Sequence, residues 1–430
     1  MSTQAKRIAF HTMGCKLNFS ETSTLSRDFI HYGFKSVDYK EVADIYVLNS
    51  CSVTNNADKE ARRLIRQAKR RNPLSIIVVT GCYAQLRPEE IGSIEGVDLV
   101  VGTKEKFDLL KYLDTKDLKS DLRILKSDIN SVKEFIPSYS SGDRTRSFLK
   151  IQDGCNYNCS FCTIPLARGK SRSNTIKKTI TIAKKIEKTG SKEIVLTGVN
   201  IGDFGIGTSE SFIGLLKELD KLDGVERIRI SSIEPNLLTN EIIQFCDSSK
   251  KFMPHFHIPL QSGSDKVLRA MRRRYDTKAY KDRIKKINDI TPEACIGVDV
   301  IVGFPGESDE DFLDTYNFLN ELDITYLHVF TYSERRATEA IKMSGKVQKD
   351  DRSKRSKTLH ILSEIKKRNF YNRFINTRRP VLFEGTKGGY IIGHTDNYIK
   401  AYVKSEYNYN NQIVEISLAE NNGSHMTGSI

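Results

Sequence analysis

Apolar residues in the first hundred positions fall into short runs separated by amphipathic stretches. "RIAFHTMG" (Arg7–Gly14), "DIYVLNS" (Asp44–Ser50), "SIIVVTG" (Ser75–Gly81) and "VDLVVGT" (Val97–Thr103) have strand length. Between them lie stretches of helical period, one from about Ser20 to Tyr32. Another is the basic "ADKEARRLIRQAKRRN" (Ala57–Asn72), stopped by Pro73. Strands alternating with helices predict βαβ units and a parallel sheet. "PSYSSGDRTRS" (Pro137–Ser147) has no apolar period and reads as a linker. A second βα series follows. Its strands are "SFLKIQDG", "SKEIVLTG", "VERIRISSI", "FHIPL", "CIGVDVIVGFPG" and "YLHVFTYS". Six such units predict an incomplete (β/α) barrel with its site at the carboxyl ends of the strands.

A long basic helix is predicted from about Asp350 to Asn376. The pattern then becomes alternating, with Gly and Asn at the turns. "RPVLFEGTKGGYIIGHTDNYIKAYVKS" (Arg379–Ser405) and "NQIVEISLAE" (Asn411–Glu420) predict a small antiparallel β-barrel. The last ten residues, "NNGSHMTGSI", are expected to be disordered. The fold class is therefore α/β. A parallel-sheet βαβ domain (1–136) and a linker (137–147) precede a partial (β/α)6 barrel (148–376). A small antiparallel β-barrel (377–430) follows.

Composition adds a partner. The chain has 430 residues and a formal net charge of +14, which suits a polyanion such as nucleic acid. No run approaches the roughly 20 apolar residues that span a bilayer, and the N-terminus lacks the apolar core of a signal peptide. A cytoplasmic protein with no membrane contact is expected.

Eight cysteines supply the candidate chemistry. Cys246 and Cys295 stand alone inside regular segments and read as buried structural thiols. Cys155, Cys159 and Cys162 form a C-x3-C-x2-C loop after the first barrel strand. Three thiolates hold three irons of a cubane and leave the fourth open to an outside ligand. The alternative is a zinc site completed by His255 or His257. Cys15, Cys51 and Cys82 each follow a strand of the first sheet, where open parallel sheets gather ligand sites. They can therefore converge on a second three-cysteine site.

The cysteine loop, the strand before it and the barrel after it resemble the radical S-adenosylmethionine (SAM) superfamily. "LTGVN" (Leu196–Asn200), "SSIEP" (Ser231–Pro235) and "GVDVIVGFPGES" (Gly297–Ser308) occur in the superfamily's order. The resemblance implies SAM contacts at Thr197, Gly198, Ser232, Glu234, Gly303, Phe304 and Gly306. "TMGCKLN", "NSCSVT" and "TGCYAQ" add a resemblance to the methylthiotransferases, over essentially the whole chain. That family implies two [4Fe–4S] clusters, one on Cys155, Cys159 and Cys162, the other on Cys15, Cys51 and Cys82. It also implies SAM as cosubstrate and a C-terminal TRAM barrel. The auxiliary cluster is thought to carry the sulfur that is transferred.

"GCKLN", "VVTGCYAQ" and "ARGKSRS" look closest to the branch acting on N6-threonylcarbamoyladenosine at tRNA position 37, rather than on isopentenyl-adenosine. Lys16 beside Cys15 is the candidate partner for the threonyl carboxylate. Arg272, Arg273 and Arg274, with Lys400 and Lys404, are candidate RNA contacts. A flavodoxin or ferredoxin is the expected electron donor and a monomer the expected state. One departure stands out: "FTYSERRATEA" has Glu334 and Arg335 where the family more often has a proline-containing segment. A rival of another class is a non-catalytic protein binding zinc and RNA. A radical SAM methylase is a rival enzyme that would not need Cys15, Cys51 and Cys82 as ligands.

Overall fold

The computed structural model describes residues 5–52, 54–113, 122–142 and 145–430. Val53 of "NSCSVT" and two residues of the expected linker, Asp143 and Arg144, lie outside them.

The first domain is a six-stranded, wholly parallel sheet. Its order is Lys35–Val37, Arg7–Thr12, Ile45–Ser50, Ile76–Gly81, Leu99–Val101, Arg123–Leu125. The four apolar runs form its centre. The outermost strands have three residues each and too few apolar positions to stand out in the pattern. Both faces are covered, so Ile45–Ser50 is buried along its whole length. The first helix runs Lys16–His31, one turn earlier than its apolar period suggests, with Cys15 at its N-cap.

The second domain is two three-stranded parallel sheets. Arg146–Lys150, Glu193–Thr197 and Arg227–Ile230 form one, and His255–His257, Cys295–Val302 and Tyr326–Thr331 the other. Parallel bridges at Ile228–Phe252 and Ser232–His257 join them into one six-stranded partial barrel. A single apolar core, from Leu149 to Leu362, lies between its strands and helices. The long helix spans Lys349–Asn372 and packs on the last strand.

The linker is tied down rather than loose. Lys150 N–H donates to Ser138 O (3.0 Å), Ser140 N–H donates to Phe148 O (2.9 Å), and the Arg27 guanidinium sits 4.0 Å over the Tyr139 ring.

The C-terminal domain is a closed five-stranded barrel: Arg378–Lys387, Tyr390–Thr395, Lys400–Lys404, Met426–Ser429, Ile413–Asn421. Two expectations change here. The last ten residues are ordered, because Met426–Ser429 is the strand that closes the barrel. It pairs parallel with Lys400–Lys404, so the barrel is not antiparallel throughout. Its short length and weak alternation hid it from the sequence pattern.

No helix among the described residues is long and apolar enough to cross a membrane.

Candidate active site

Each N-terminal cysteine sits in the turn between a strand and a helix. Cys15 caps Lys16–His31, and Cys82 opens the short helix Cys82–Leu86. Cys51 directly follows Ile45–Ser50, three residues before the N-cap Thr54, whose hydroxyl accepts from Ala57 N–H. Helix N-termini favour negative charge, so all three turns suit thiolates. Two glycines make the turns possible. Gly81 has φ 95°, and a Cβ there would lie 2.3 Å from Ser50 O. Gly14 has φ 89°, and a Cβ there would lie 2.8 Å from both Cβ and Sγ of Cys51. The Cys15 and Cys51 turns thus touch, and Cys82 interacts electrostatically with Cys15.

The Cys155–Cys162 loop is held by its own backbone. Tyr157 N–H donates to Cys155 Sγ (3.3 Å) and Ile164 N–H to Cys162 Sγ (3.5 Å). Arg273 donates to Cys159 Sγ (3.1 Å) and pairs with Glu234. Burial pushes the Cys155 and Cys162 thiols up to about 11 and about 12. Bare, these groups stay protonated at neutral pH, and a bound cation is what stabilises their thiolates.

No disulfide joins any of the eight cysteines. A single tetrahedral zinc, about 2.3 Å from each sulfur, would draw its thiolates to within about 3.8 Å of one another. Among the described residues, the one group of three metal-binding atoms within 4.8 Å is His257, Asp299 and His328. Neither cysteine trio has all three sulfurs within 4.8 Å of one another. The all-sulfur donor set of the Cys155–Cys162 loop, with its hydrogen bonds to sulfur, fits a cubane instead. His255 and His257 complete neither trio. His257 Nε2 (2.8 Å) and His328 Nδ1 (3.2 Å) share Asp299 Oδ1, and these bonds hold the carboxyl well below its usual range despite its burial.

A buried ion network joins the two trios. Glu21 accepts from Lys150 (2.9 Å) and Arg168 (3.1 Å) and pairs with Lys106. Asp153 accepts from Arg168 (3.0 Å) and Arg172 (3.1 Å) and pairs with Lys150 (2.8 Å). Two carboxylates thus face four cations, and the excess positive charge lies beside Cys82, which interacts with Arg168. The helix that opens with Cys82 packs on Ile164–Arg168, which begins two residues after Cys162.

The unexpected Glu334–Arg335 pair also acts between domains. Arg335 donates to Asp58 (2.7 Å), which accepts from Ser52 (3.2 Å) beside Cys51. Glu334 is held down to about 2, chiefly by the Arg352 hydrogen bond (2.8 Å).

A cavity of about 760 Å³ opens between the three domains. Cys15 and Lys16 line it from the first domain, Thr197, Gly198 and Ser232 from the second, Tyr398 and Lys400 from the third. Water reaches Lys16 inside the cavity, yet the surrounding protein desolvates its ammonium and lowers its pKa.

The remaining expected positions divide. Phe304 is fully buried, edge-on to Phe161 and Tyr332, so it braces the cysteine loop from behind. Gly303 gives its space to the Arg352 side chain, whereas Gly306 has nothing within 4 Å of its would-be Cβ. Of the three arginines read as RNA contacts, Arg273 is turned inward with its side chain 4% exposed, so it is not displayed to an RNA backbone. Arg272 and Arg274 are exposed, the latter 3.9 Å over the Tyr157 ring. Lys404 is exposed on the barrel. Cys246 and Cys295 are buried, though Cys295 also meets the cavity wall. Sequence reasoning missed Glu21, Lys106, Lys150 and Asp153. Full burial of a charged residue has no signature in a single sequence.

The model of the radical SAM superfamily matches residues 149–319, and that of Uncharacterized protein family UPF0004 matches residues 7–102. The threonylcarbamoyladenosine tRNA methylthiotransferase MtaB of Bacillus subtilis is 41% identical over 423 residues, 96% of this chain and 93% of that protein. That of Thermotoga maritima is 34% identical, over 92% and 91%. A tRNA-2-methylthio-N(6)-dimethylallyladenosine synthase of Clostridium botulinum is 33% identical, over 87% and 85%. Among solved structures, the radical SAM methyltransferase TsrM of Kitasatospora setae shares the fold, with TM-score 0.56 at 13% identity over 79% of this chain and 77% of that one. At up to 41% identity over nearly its whole length, the chain belongs to the MtaB family of threonylcarbamoyladenosine tRNA methylthiotransferases, within the radical SAM superfamily.

Proposed function

We propose that this protein converts N6-threonylcarbamoyladenosine at position 37 of tRNA to its 2-methylthio derivative. The observation that carries the reading is the cavity, which brings Cys15 of one trio together with Thr197, Gly198 and Ser232 of the SAM-binding motifs. Cys155, Cys159 and Cys162 would hold the cluster that chelates SAM, and Cys15, Cys51 and Cys82 a second [4Fe–4S] cluster. When bound, these groups supply, respectively, the electron that cleaves SAM to a 5′-deoxyadenosyl radical and the sulfur that is transferred. An ordinary acid or base does not break the strong C2–H bond of adenine, so radical chemistry suits the substrate.

The chain's own residues do the rest. Arg273 neutralises Glu234 and donates to Cys159 Sγ, which fixes the wall of the SAM site. The Glu21–Arg168–Asp153 network holds the two cysteine trios in fixed relation, as oriented transfer between them requires. Arg272, Arg274 and Lys404 are exposed for phosphate contacts, and Lys16 faces the substituent on the nucleoside. A flavodoxin or ferredoxin would deliver the electron, in the cytoplasm, to a monomer.

The test is expression in a host without methylthiotransferases, followed by mass analysis of tRNA nucleosides. A new 2-methylthio-threonylcarbamoyladenosine peak is expected. The isopentenyl analogue in its place would move the chain to the sister branch.

A further inference from the structure

The part of the cavity lined by the C-terminal barrel holds side chains that the radical chemistry does not use. Tyr398, from the C-terminal barrel, is its platform. It sits at φ 68°, a region a tyrosine occupies at a cost and keeps only when its surroundings hold it there. Two rings stack on it: His255 at 4.2 Å and 12°, and His394 at 4.8 Å and 19°. The guanidinium groups of Arg146 and Arg229 lie 5.8 Å and 5.1 Å from its centroid.

The charges here do not balance. Arg146 is answered by Glu384 at 3.2 Å, and Arg229 by Glu193 at 2.8 Å and the carbonyls of Thr395 and Asp396. Lys16 reaches in from the first domain, within electrostatic range of Tyr398, Arg146, Arg229, His255 and Glu193, the last already paired with Arg229. Among the described residues, no carboxylate lies within salt-bridge distance of its ammonium. A second group is also unmatched. His255 is 6% exposed and bonds Tyr326 Oη through Nε2 (3.0 Å), but its Nδ1 has no hydrogen-bond partner. One cation without a counter-ion and one polar atom without a partner therefore share this wall.

We infer that this part of the cavity is a carboxylate subsite, in which Lys16 takes the carboxylate of the N6 substituent against the platform of His255 and Tyr398. The inference rests on the proposed function and names the residues behind its substrate choice. A carboxylate completes the charge balance with charge-assisted hydrogen bonds. An uncharged isopentenyl group seated there would displace water from the ammonium without pairing it, so the same residue accepts one substrate and rejects the other. It follows that the C-terminal barrel does more than grip RNA, since Tyr398 and His394 of that barrel wall the subsite.

The test compares two anticodon stem-loop RNAs on the reconstituted full-length enzyme. One carries threonylcarbamoyladenosine, the other its methyl ester, nearly the same size without the charge. The wild type is expected to prefer the acid by on the order of 10–100-fold in kcat/KM. In Lys16→Gln the acid should lose far more than the ester, so that the ratio of the two kcat/KM values approaches one, and Lys16→Arg should restore it. Kd ratios from fluorescence anisotropy without SAM should move in parallel, and 5′-deoxyadenosine release without RNA should stay constant. An equal loss on both RNAs would place Lys16 on a phosphate and overturn the subsite. A preference that survives Lys16→Gln would overturn it too. A wild type that modifies neither RNA but modifies an isopentenyl one would overturn the proposed function itself.

Discussion

The two cysteine trios offer the same three thiols but are built in opposite ways. Cys155, Cys159 and Cys162 lie within one loop, whose own amides bond two of the sulfurs. Cys15, Cys51 and Cys82 come from three separate turns, brought together only when three strands pair in register. The first site depends on local backbone. The second depends on a sheet, on Gly14 and Gly81 where side chains do not fit, and on a neighbouring domain that supplies Arg168. A local ligand set can be read and altered by itself, whereas a dispersed one is a property of the fold.

The sharpest way to separate the two is to remove each. Changing any of Cys155, Cys159 or Cys162 to Ala is expected to abolish 5′-deoxyadenosine formation under dithionite. Normal formation would withdraw the loop from SAM cleavage. The triple variant of Cys15, Cys51 and Cys82 to Ala is expected to retain about half the iron, the ligand set of one cubane being intact. It should still cleave SAM yet make no methylthiolated nucleoside. Product from this variant would show that the dispersed trio does not carry the sulfur.

The junction between the trios offers a smaller but graded effect. Burial works to raise the Glu21 carboxyl, but Arg168, Lys106 and Lys150 overcome it and hold the group well below its ordinary range. A depressed folded-state value means that the stabilisation is in place above the ordinary carboxylate value of about 4.3 and is lost as pH falls below it. Glu21→Gln leaves buried cations short of a partner and is expected to cost about 3–5 kcal/mol at pH 7. Denaturation midpoints followed by circular dichroism should drop more steeply from pH 5 to pH 3.5 in the wild type than in the variant. Parallel pH profiles would mean that Glu21 is not the titrating group.

The same contrast explains what was legible in advance. The spacing of Cys155 to Cys162 names its chemistry directly, and strand-following positions exposed the dispersed trio once a parallel sheet was expected. Long apolar strands were equally plain. The three-residue edges Lys35–Val37 and Arg123–Leu125 were not, because so short a strand has no period to detect. Met426–Ser429 was taken for a disordered tail, because its order comes from partners on two other strands. In the sequence Arg273 is one of three arginines that read as a tRNA contact or an active-site wall, and only the chain's path turns it inward to Cys159. Its neighbours Arg272 and Arg274 in the same run are exposed, so charge alone did not separate them.

The cavity draws its walls from both ends of the chain, with Lys16 near the start and Tyr398 and Lys400 near the end. On the ribosome these partners emerge about 380 residues apart, which at roughly 5–20 residues per second separates them by tens of seconds. The cysteine loop and the first sheet are complete long before the last wall exists. A nascent chain, or one cut short before the barrel, therefore has its cysteine ligands in place without the wall that the third domain supplies. Synthesis order thus leaves the cavity open on one side until the final strand, Met426–Ser429, pairs and closes the barrel.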